Sequence, residues 1–527
     1  MVYLYKTLLI VLRNRKEYTM AYLIGIDIGT SGTKTAIYAE NGQKIASHTD
    51  EYPMYQPQNG WAEQDPQDWW NAVLSGLSAV MAKSGLKPDD IGGIGLSGQM
   101  HGLVMLDKAG KVLRKSIIWC DQRTAEECVE IEAAVGGRAR LIEITANPAL
   151  TGFTASKIMW VKKHEPEIYE QCAHILLPKD YIRYMLTGEF ATEVSDASGM
   201  QLLDIPNRCW SKEVCDALGI DMSLLAKMYE SPEVTGIVRE EVADAVGIGH
   251  HVPVVGGAGD NAAAAVGTGT VAEGKAFVTI GTSGVVFAHS DKVKIDAKGR
   301  VHTFCCAVPG CWHVMGVTQA AGLSLKWFVE NFCTPEIEKA GKFGVDKYQV
   351  TDDEAARSVI GANRLIYLPY LMGERTPHLS SVCRGSFVGL SAMHTRGDML
   401  RAVMEGVTYS LRDCLSVFDE MNIHPTELMA CGGGGKSPFW RQMMADTFNR
   451  RICLPNTNEG ASLGAAILAG VGSGAYTSVP EACGAIIASE RTSDPIADNA
   501  VQYEKVYKLY DSLYGALAGS FDELAKL

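Results

Sequence analysis

Three features of the sequence predict an α/β fold built as two related domains. Strand-like and helix-like runs alternate through both halves of the chain, the pattern of sheets covered by helices. The tetrapeptide Gly-Thr-Ser-Gly occurs at residues 29–32 and again at 281–284, each time between two apolar, β-like runs. A duplication at that distance reads as two homologous domains, not as a short solenoid repeat. The length of 527 residues also exceeds what one ordinary core organises.

The first strand is expected from Leu23 to Ile28, breaking at the first GTSG. A second follows through Thr35 to Tyr38, then an Asn41-Gly42 hairpin turn and a third strand. Asp65-Pro66 is a helix cap followed by proline at the first helical position, leading into Trp69 to Met81. Ala276 to Ile280 opens the second half, breaks at the second GTSG and resumes at Val285-Val286-Phe287. Helices are expected over Asp398–Glu420, Ser437–Phe448 and Tyr503–Lys526. The first domain is placed at 20–251 and the second at 252–495. The last helix, 496–527, follows the Asp494-Pro495 break and is expected to return to the first domain.

Residues 1–19 are set aside. Leu8 to Leu12 is too short for a membrane span, and Arg13, Arg15 and Lys16 follow it, the reverse of a signal peptide. With Met20 directly before the first strand, 1–19 reads as a leader from an upstream start codon or a disordered tail. No other run approaches the roughly 20 apolar residues of a spanning helix.

The formal charge of −13 argues against nucleic acid as the main partner. It leaves room for a nucleotide, which needs only a local pocket of backbone N–H groups. Fourteen cysteines without C-x-x-C spacing indicate reduced thiols, hence a cytoplasmic location.

Two familiar motifs fail on context. Ala430 to Ser437 (ACGGGGKS) misses the opening glycine of a P-loop. Gly93 to Gly98 matches G-x-G-x-x-G, but a strand, Leu103 to Leu106, follows it where a dinucleotide site needs a helix.

Four stretches carry chemistry. In Gly25-Ile-Asp27-Ile-Gly29-Thr30-Ser31-Gly32-Thr33-Lys34, a carboxylate stands inside an apolar strand, costly unless paired or near a cation. The glycines around Thr30-Ser31 let backbone N–H groups approach phosphate oxygens, and Lys34 adds positive charge. In Val255-Gly-Gly-Ala-Gly259-Asp260-Asn261 a strand ends in a small-residue turn and Asp260 stands where a helix begins. An ordinary helix cap is the plain reading; an unshielded carboxylate at a strand's C-terminal edge is the catalytic one. Met100-His101-Gly102 occupies a loop after a strand, where His101 is either structural or functional. Gly432 to Gly435 offers a backbone surface flat enough for a purine ring, or else a flexible strand–helix turn.

These stretches, with WAEQDPQDWW, LLPKDYIRYMLTGEF, SDASG, LPYLMGERTPH and LGAAILAG, make the chain similar to the FGGY carbohydrate kinases from Tyr22 to its C-terminus. The resemblance implies the two-domain actin-like ATPase (ribonuclease H-like) fold with sugar and ATP meeting in an interdomain cleft. It implies Asp260 as catalytic base and Asp27 as the organiser of Mg²⁺. Met100, His101, Asp260 and Asn261 would contact the sugar, and Thr30, Ser31, Lys34, Thr282, Gly322 and Gly433 would line the nucleotide side. The implied reaction is ATP-dependent phosphorylation of the ketopentose D-xylulose, with gluconate, ribulose or glycerol as alternative substrates. A non-metabolic actin-like ATPase is the reading from another class. The expected partners are the sugar and ATP, with a homodimer admitted and neither nucleic acid nor membrane.

Overall fold

The computed structural model describes residues 21–527, so the leader at 1–19 lies outside the described residues. The chain divides into two compact units.

The sheet of the first unit contains β1 (Tyr22–Ile28), β2 (Gly32–Tyr38), β3 (Lys44–Glu51), β4 (Ile91–Gly98), β5 (Val234–Ile237), β6 (Pro253–Val255) and the short β7 (Ala258–Gly259). The order is β5-β6-β4-β1-β2-β3, with β7 also on β4. β1 runs antiparallel to β2 and parallel to β4. Successive side chains of β1 point to opposite faces. Ile24, Ile26 and Ile28 join the core cluster of Trp69, Val73 and Leu77 from the helix Pro66–Ser84. That helix starts where expected: Asp65 accepts from the Gln67 N–H at 3.0 Å, and Gly85 ends it in the left-handed conformation.

The other face of β1, bearing Leu23, Gly25 and Asp27, is covered by the helix Gly460–Gly472. Backbones meet there. A Cβ on Gly25 would lie 1.8 Å from the Ser462 carbonyl oxygen, and one on Gly95 1.8 Å from that of Ala465. Gly464 approaches the helix Asp260–Gly267 as closely, 1.8 Å from the Ala263 carbonyl oxygen. The LGAAILAG run therefore belongs to the first unit.

The second unit's sheet places β8 (Lys275–Ile280), β9 (Gly284–Ser290), β10 (Trp312–Thr318), β11 (Glu427–Cys431), β12 (Arg451–Pro455) and β13 (Ser489–Ser493) in the order β10-β9-β8-β11-β12-β13. Its core helix, Arg396–Glu420, opens on a capping box of Thr395 and Asp398.

The expected boundaries need correction. The first unit runs on through Val271 and recovers residues 304–311 and 459–487, because the glycine contacts above draw a distant helix onto β1 and β4. The last helix, Ala497–Leu524, stays in the second unit. Its Tyr503 hydroxyl accepts from Arg401 at 2.8 Å and its Tyr507 hydroxyl donates to Asp413 at 2.7 Å, both partners standing on the core helix Arg396–Glu420. Every cysteine is a free thiol, most of them buried. No helix among the described residues is long and apolar enough to cross a membrane.

Candidate active site

Strand register brings the two aspartates together. Asp27 pairs with Lys34 on β2 and with Ser97 on β4, and Ser97 pairs with Ala258 on β7. Lys34, Asp27, Ser97 and Ala258 thus form one row across the sheet, and the chain turns into a helix two residues after Ala258, at Asp260. The Ser97 hydroxyl donates to Asp27 Oδ1 at 2.8 Å. Burial raises the Asp27 pKa, while that hydrogen bond and the Lys34 charge pull it down.

Asp260 is not the helix cap; Gly259 holds that position and Asp260 is the first helical residue. Its Oδ1 accepts from the backbone N–H of Asn261 at 2.7 Å and from Asn261 Nδ2 at 2.9 Å. Burial, and next the negative charge of Asp27, push its pKa up to about 7 against the Asn261 hydrogen bonds. A carboxylate poised there suits general-base work at neutral pH.

Met100 and His101 stand beside this helix start. The Met100 side chain packs on Gly259, where an added Cβ would fall 2.9 Å from its Cγ. His101 takes a left-handed backbone conformation, φ 71°. Its ring is clamped: Nδ1 donates to the Gly199 carbonyl at 2.8 Å, and Phe153 and Phe304 lie 4.8 and 6.3 Å away between ring centroids. The His101 carbonyl accepts from the buried Lys157 ammonium at 2.8 Å.

The first GTSG loop is held from several sides. Gln64 Nε2 donates to the Thr30 carbonyl at 2.6 Å, Trp119 Nε1 donates to Thr30 Oγ1 at 2.8 Å, and the Tyr52 hydroxyl donates to the Gly29 carbonyl. Ser31 stays exposed on a hollow that Tyr52, Pro53 and Met54 also line. Lys34 donates to Glu459 at 2.6 Å, a carboxylate that also takes Lys44 at 2.7 Å.

In the second unit, Gly322 and Thr282 adjoin. The Gly322 N–H donates to the Gly281 carbonyl at 2.8 Å, and the Leu323 N–H to the Thr282 carbonyl at 3.1 Å. Gly432 to Gly435 forms one helical turn after β11, beside Ile280 at the end of β8. A Cβ at Gly433 would meet nothing within 4 Å, so this glycine faces open space at the turn. The G-x-G-x-x-G match at Gly93–Gly98 lies wholly inside β4.

Two family models cover most of the chain: the N-terminal domain of the FGGY family of carbohydrate kinases over residues 22–267, and its C-terminal domain over 276–473. The chain belongs to the FGGY family of carbohydrate kinases. It is a sugar kinase with the two-domain actin-like, ribonuclease H-like ATPase fold. It is 40% identical over 495 residues to a xylulose kinase of Bacillus subtilis, covering 94% of this chain and 97% of that one. Among solved structures, one described as a xyloylose kinase from Brucella ovis matches with a TM-score of 0.86 at 36% identity, over 94% of this chain and 99% of that one. A gluconate kinase from Lactobacillus acidophilus matches with a TM-score of 0.88 at 29% identity, over 96% and 100% of the two chains.

The structure of this FGGY kinase adds residues to the site that the sequence reading did not single out. Gln64 lies inside the motif WAEQDPQDWW, so a signal is present without a role. Ser97 was visible only as part of a glycine-rich run. Glu459 carried no signal, because it sits 425 residues from Lys34 in the chain.

Proposed function

We propose that this FGGY kinase transfers the γ-phosphoryl group of ATP to the terminal hydroxyl of D-xylulose, with Asp260 as general base. The observation that carries the reading is the Asp260 carboxyl itself. Its pKa is lifted to about 7, and it starts a helix next to Asp27, with Met100 and the clamped His101 alongside. Asp260 accepts the hydroxyl proton as the oxygen attacks the γ-phosphorus and the bond to the β-phosphate bridging oxygen breaks, releasing ADP. General-base assistance of this kind is worth about 10²–10⁴-fold.

Met100, His101, Asp260 and Asn261 form the sugar side of this reading. His101 presents a ring whose Nδ1 proton is committed to the Gly199 carbonyl, which fixes its tautomer and orientation. Thr30, Ser31 and Lys34 serve the phosphates, and Thr282, Gly322 and Gly433 the rest of the nucleotide. Asp27, in the strand row beside Ser97, offers the carboxylate oxygen that a hard dication takes. Asp27 is the residue that would hold Mg²⁺, which when bound neutralises charge on the phosphate oxygens.

Likeness to xylulose kinases along nearly the whole chain supports the sugar assignment, and the gluconate kinase likeness names the competing one. A panel of D-xylulose, D-ribulose, D-gluconate and glycerol with ATP and Mg²⁺, read by coupled ADP detection, tests it. The highest kcat/KM is expected for D-xylulose. A clear preference for D-gluconate would overturn the sugar and leave the kinase intact.

A further inference from the structure

The run Ser195-Asp196-Ala197-Ser198-Gly199 takes no direct part in the chemistry above, yet all of it is buried. It folds as one helical turn, Val194–Ala197, continued by a 3₁₀ turn, Ser198–Met200. Glu193 caps that turn. Its carboxylate accepts from the backbone N–H groups of Ser195 at 2.7 Å and Asp196 at 2.9 Å, and from the hydroxyls of Ser195 and Ser231, each at 2.9 Å. The fully buried Lys179 ammonium lies 3.2 Å from the same carboxylate and fixes it in place.

The Ser195 proton is thereby committed to Glu193, which leaves the hydroxyl oxygen to act as an acceptor. It accepts the N–H of Gly259 at 3.1 Å. Gly259 is the residue directly before Asp260 and caps its helix. At the other end of the run, the Gly199 carbonyl accepts from His101 Nδ1 at 2.8 Å. A Cβ on Gly199 would stand 2.3 Å from that nitrogen, so no larger residue leaves the ring where it is. One short buried turn therefore grips the backbone behind one site residue and the ring of another.

We propose that Ser195 is a positioning residue for Asp260 and Gly199 a positioning residue for His101, so that this turn sets the spacing between base and sugar. The proposal rests on the assignment of Asp260 as base and His101 as a sugar contact. Small misplacements of reacting groups cost rate steeply, which is why a hydroxyl that never meets substrate matters here.

The test is steady-state kinetics on the full chain with D-xylulose and ATP varied in turn. Ser195→Ala should lower kcat about tenfold or more with both KM values within about twofold. Ser195→Cys puts a larger sulfur, only a weak acceptor, in place of the oxygen that takes the Gly259 N–H, and should show the same loss in kcat with both KM values again little changed. Gly199→Ala should do the opposite, raising KM for D-xylulose about tenfold with KM for ATP unchanged. A folded Ser195 variant with wild-type kcat, or with its loss confined to KM, overturns the role of Ser195. Asp260→Asn is measured alongside. If it also keeps full turnover, the base assignment is what fails; if it collapses while both Ser195 variants match wild type, only the positioning role falls.

Discussion

Replacing Asp260 by asparagine probes both the chemistry of this carboxylate and what it costs the fold. Asparagine keeps the Oδ1 that accepts from Asn261 and removes the charge. Burial and the Asp27 charge lift the Asp260 pKa from 3.8 to about 7. That is about three powers of ten in proton affinity, or up to about 4 kcal/mol at about 1.4 kcal/mol each. The folded state holds this proton more tightly than the unfolded chain does. The penalty is therefore absent below about pH 4, accumulates as pH rises to about 7 and is constant above. Asp260→Asn should accordingly melt higher than wild type at pH 8. The gain should be several degrees, at about 2 °C per kcal/mol for a unit of this size, shrinking toward zero near pH 4. In the same variant kcat should fall by about 10²–10⁴-fold. Thermal melts without ligands across pH 4–8, with kcat at pH 8, measure both effects. A lower melting point at pH 8, or a gap that ignores pH, refutes the buried-charge argument. Near-wild-type kcat refutes the base.

Asp27→Ala should raise the Mg²⁺ concentration needed for half-maximal turnover if Asp27 holds the cation as proposed; a titration superimposable on wild type, in a folded variant, removes Asp27 from the metal. His101→Ala should raise KM for D-xylulose about 2- to 12-fold, the equivalent of a hydrogen bond worth about 0.5–1.5 kcal/mol. KM for ATP should not move, and a selective rise there would place His101 on the nucleotide. Gly464→Ala pushes a Cβ to 1.8 Å from the Ala263 carbonyl oxygen, so two helices must separate. A loss of about 1–3 kcal/mol in urea unfolding is expected, and an unchanged midpoint would mean that the helix Gly460–Gly472 does not depend on that close approach.

The sequence by itself determined the fold class and the local elements that carry the site. Apolar runs ending in Gly-Thr-Ser-Gly gave both hairpins, because strand period and turn residues are local properties. Asp65-Pro66 marked its helix start, and Asp260 stood out as a carboxylate on a small-residue turn. What tertiary structure alone decided is which distant residues share a surface. The register of β2, β1, β4 and β7 sets Lys34, Asp27, Ser97 and Ala258 in a row, and no local pattern specifies register between strands so far apart in the chain. Glu459 reaches Lys34 across 425 residues. The LGAAILAG stretch carries no local sign of what it packs on; the close approach of Gly464 to the Ala263 carbonyl, and of Gly25 and Gly95 to the carbonyls of Ser462 and Ala465, gives its helix an address. The same reason misplaced the last helix. Its tyrosines pattern a buried face, but which core accepts their hydroxyls depends on where Arg401 and Asp413 lie. Apolar periodicity shows that a face is buried; the partner is chosen by shape and by polar groups that meet only once the chain has folded.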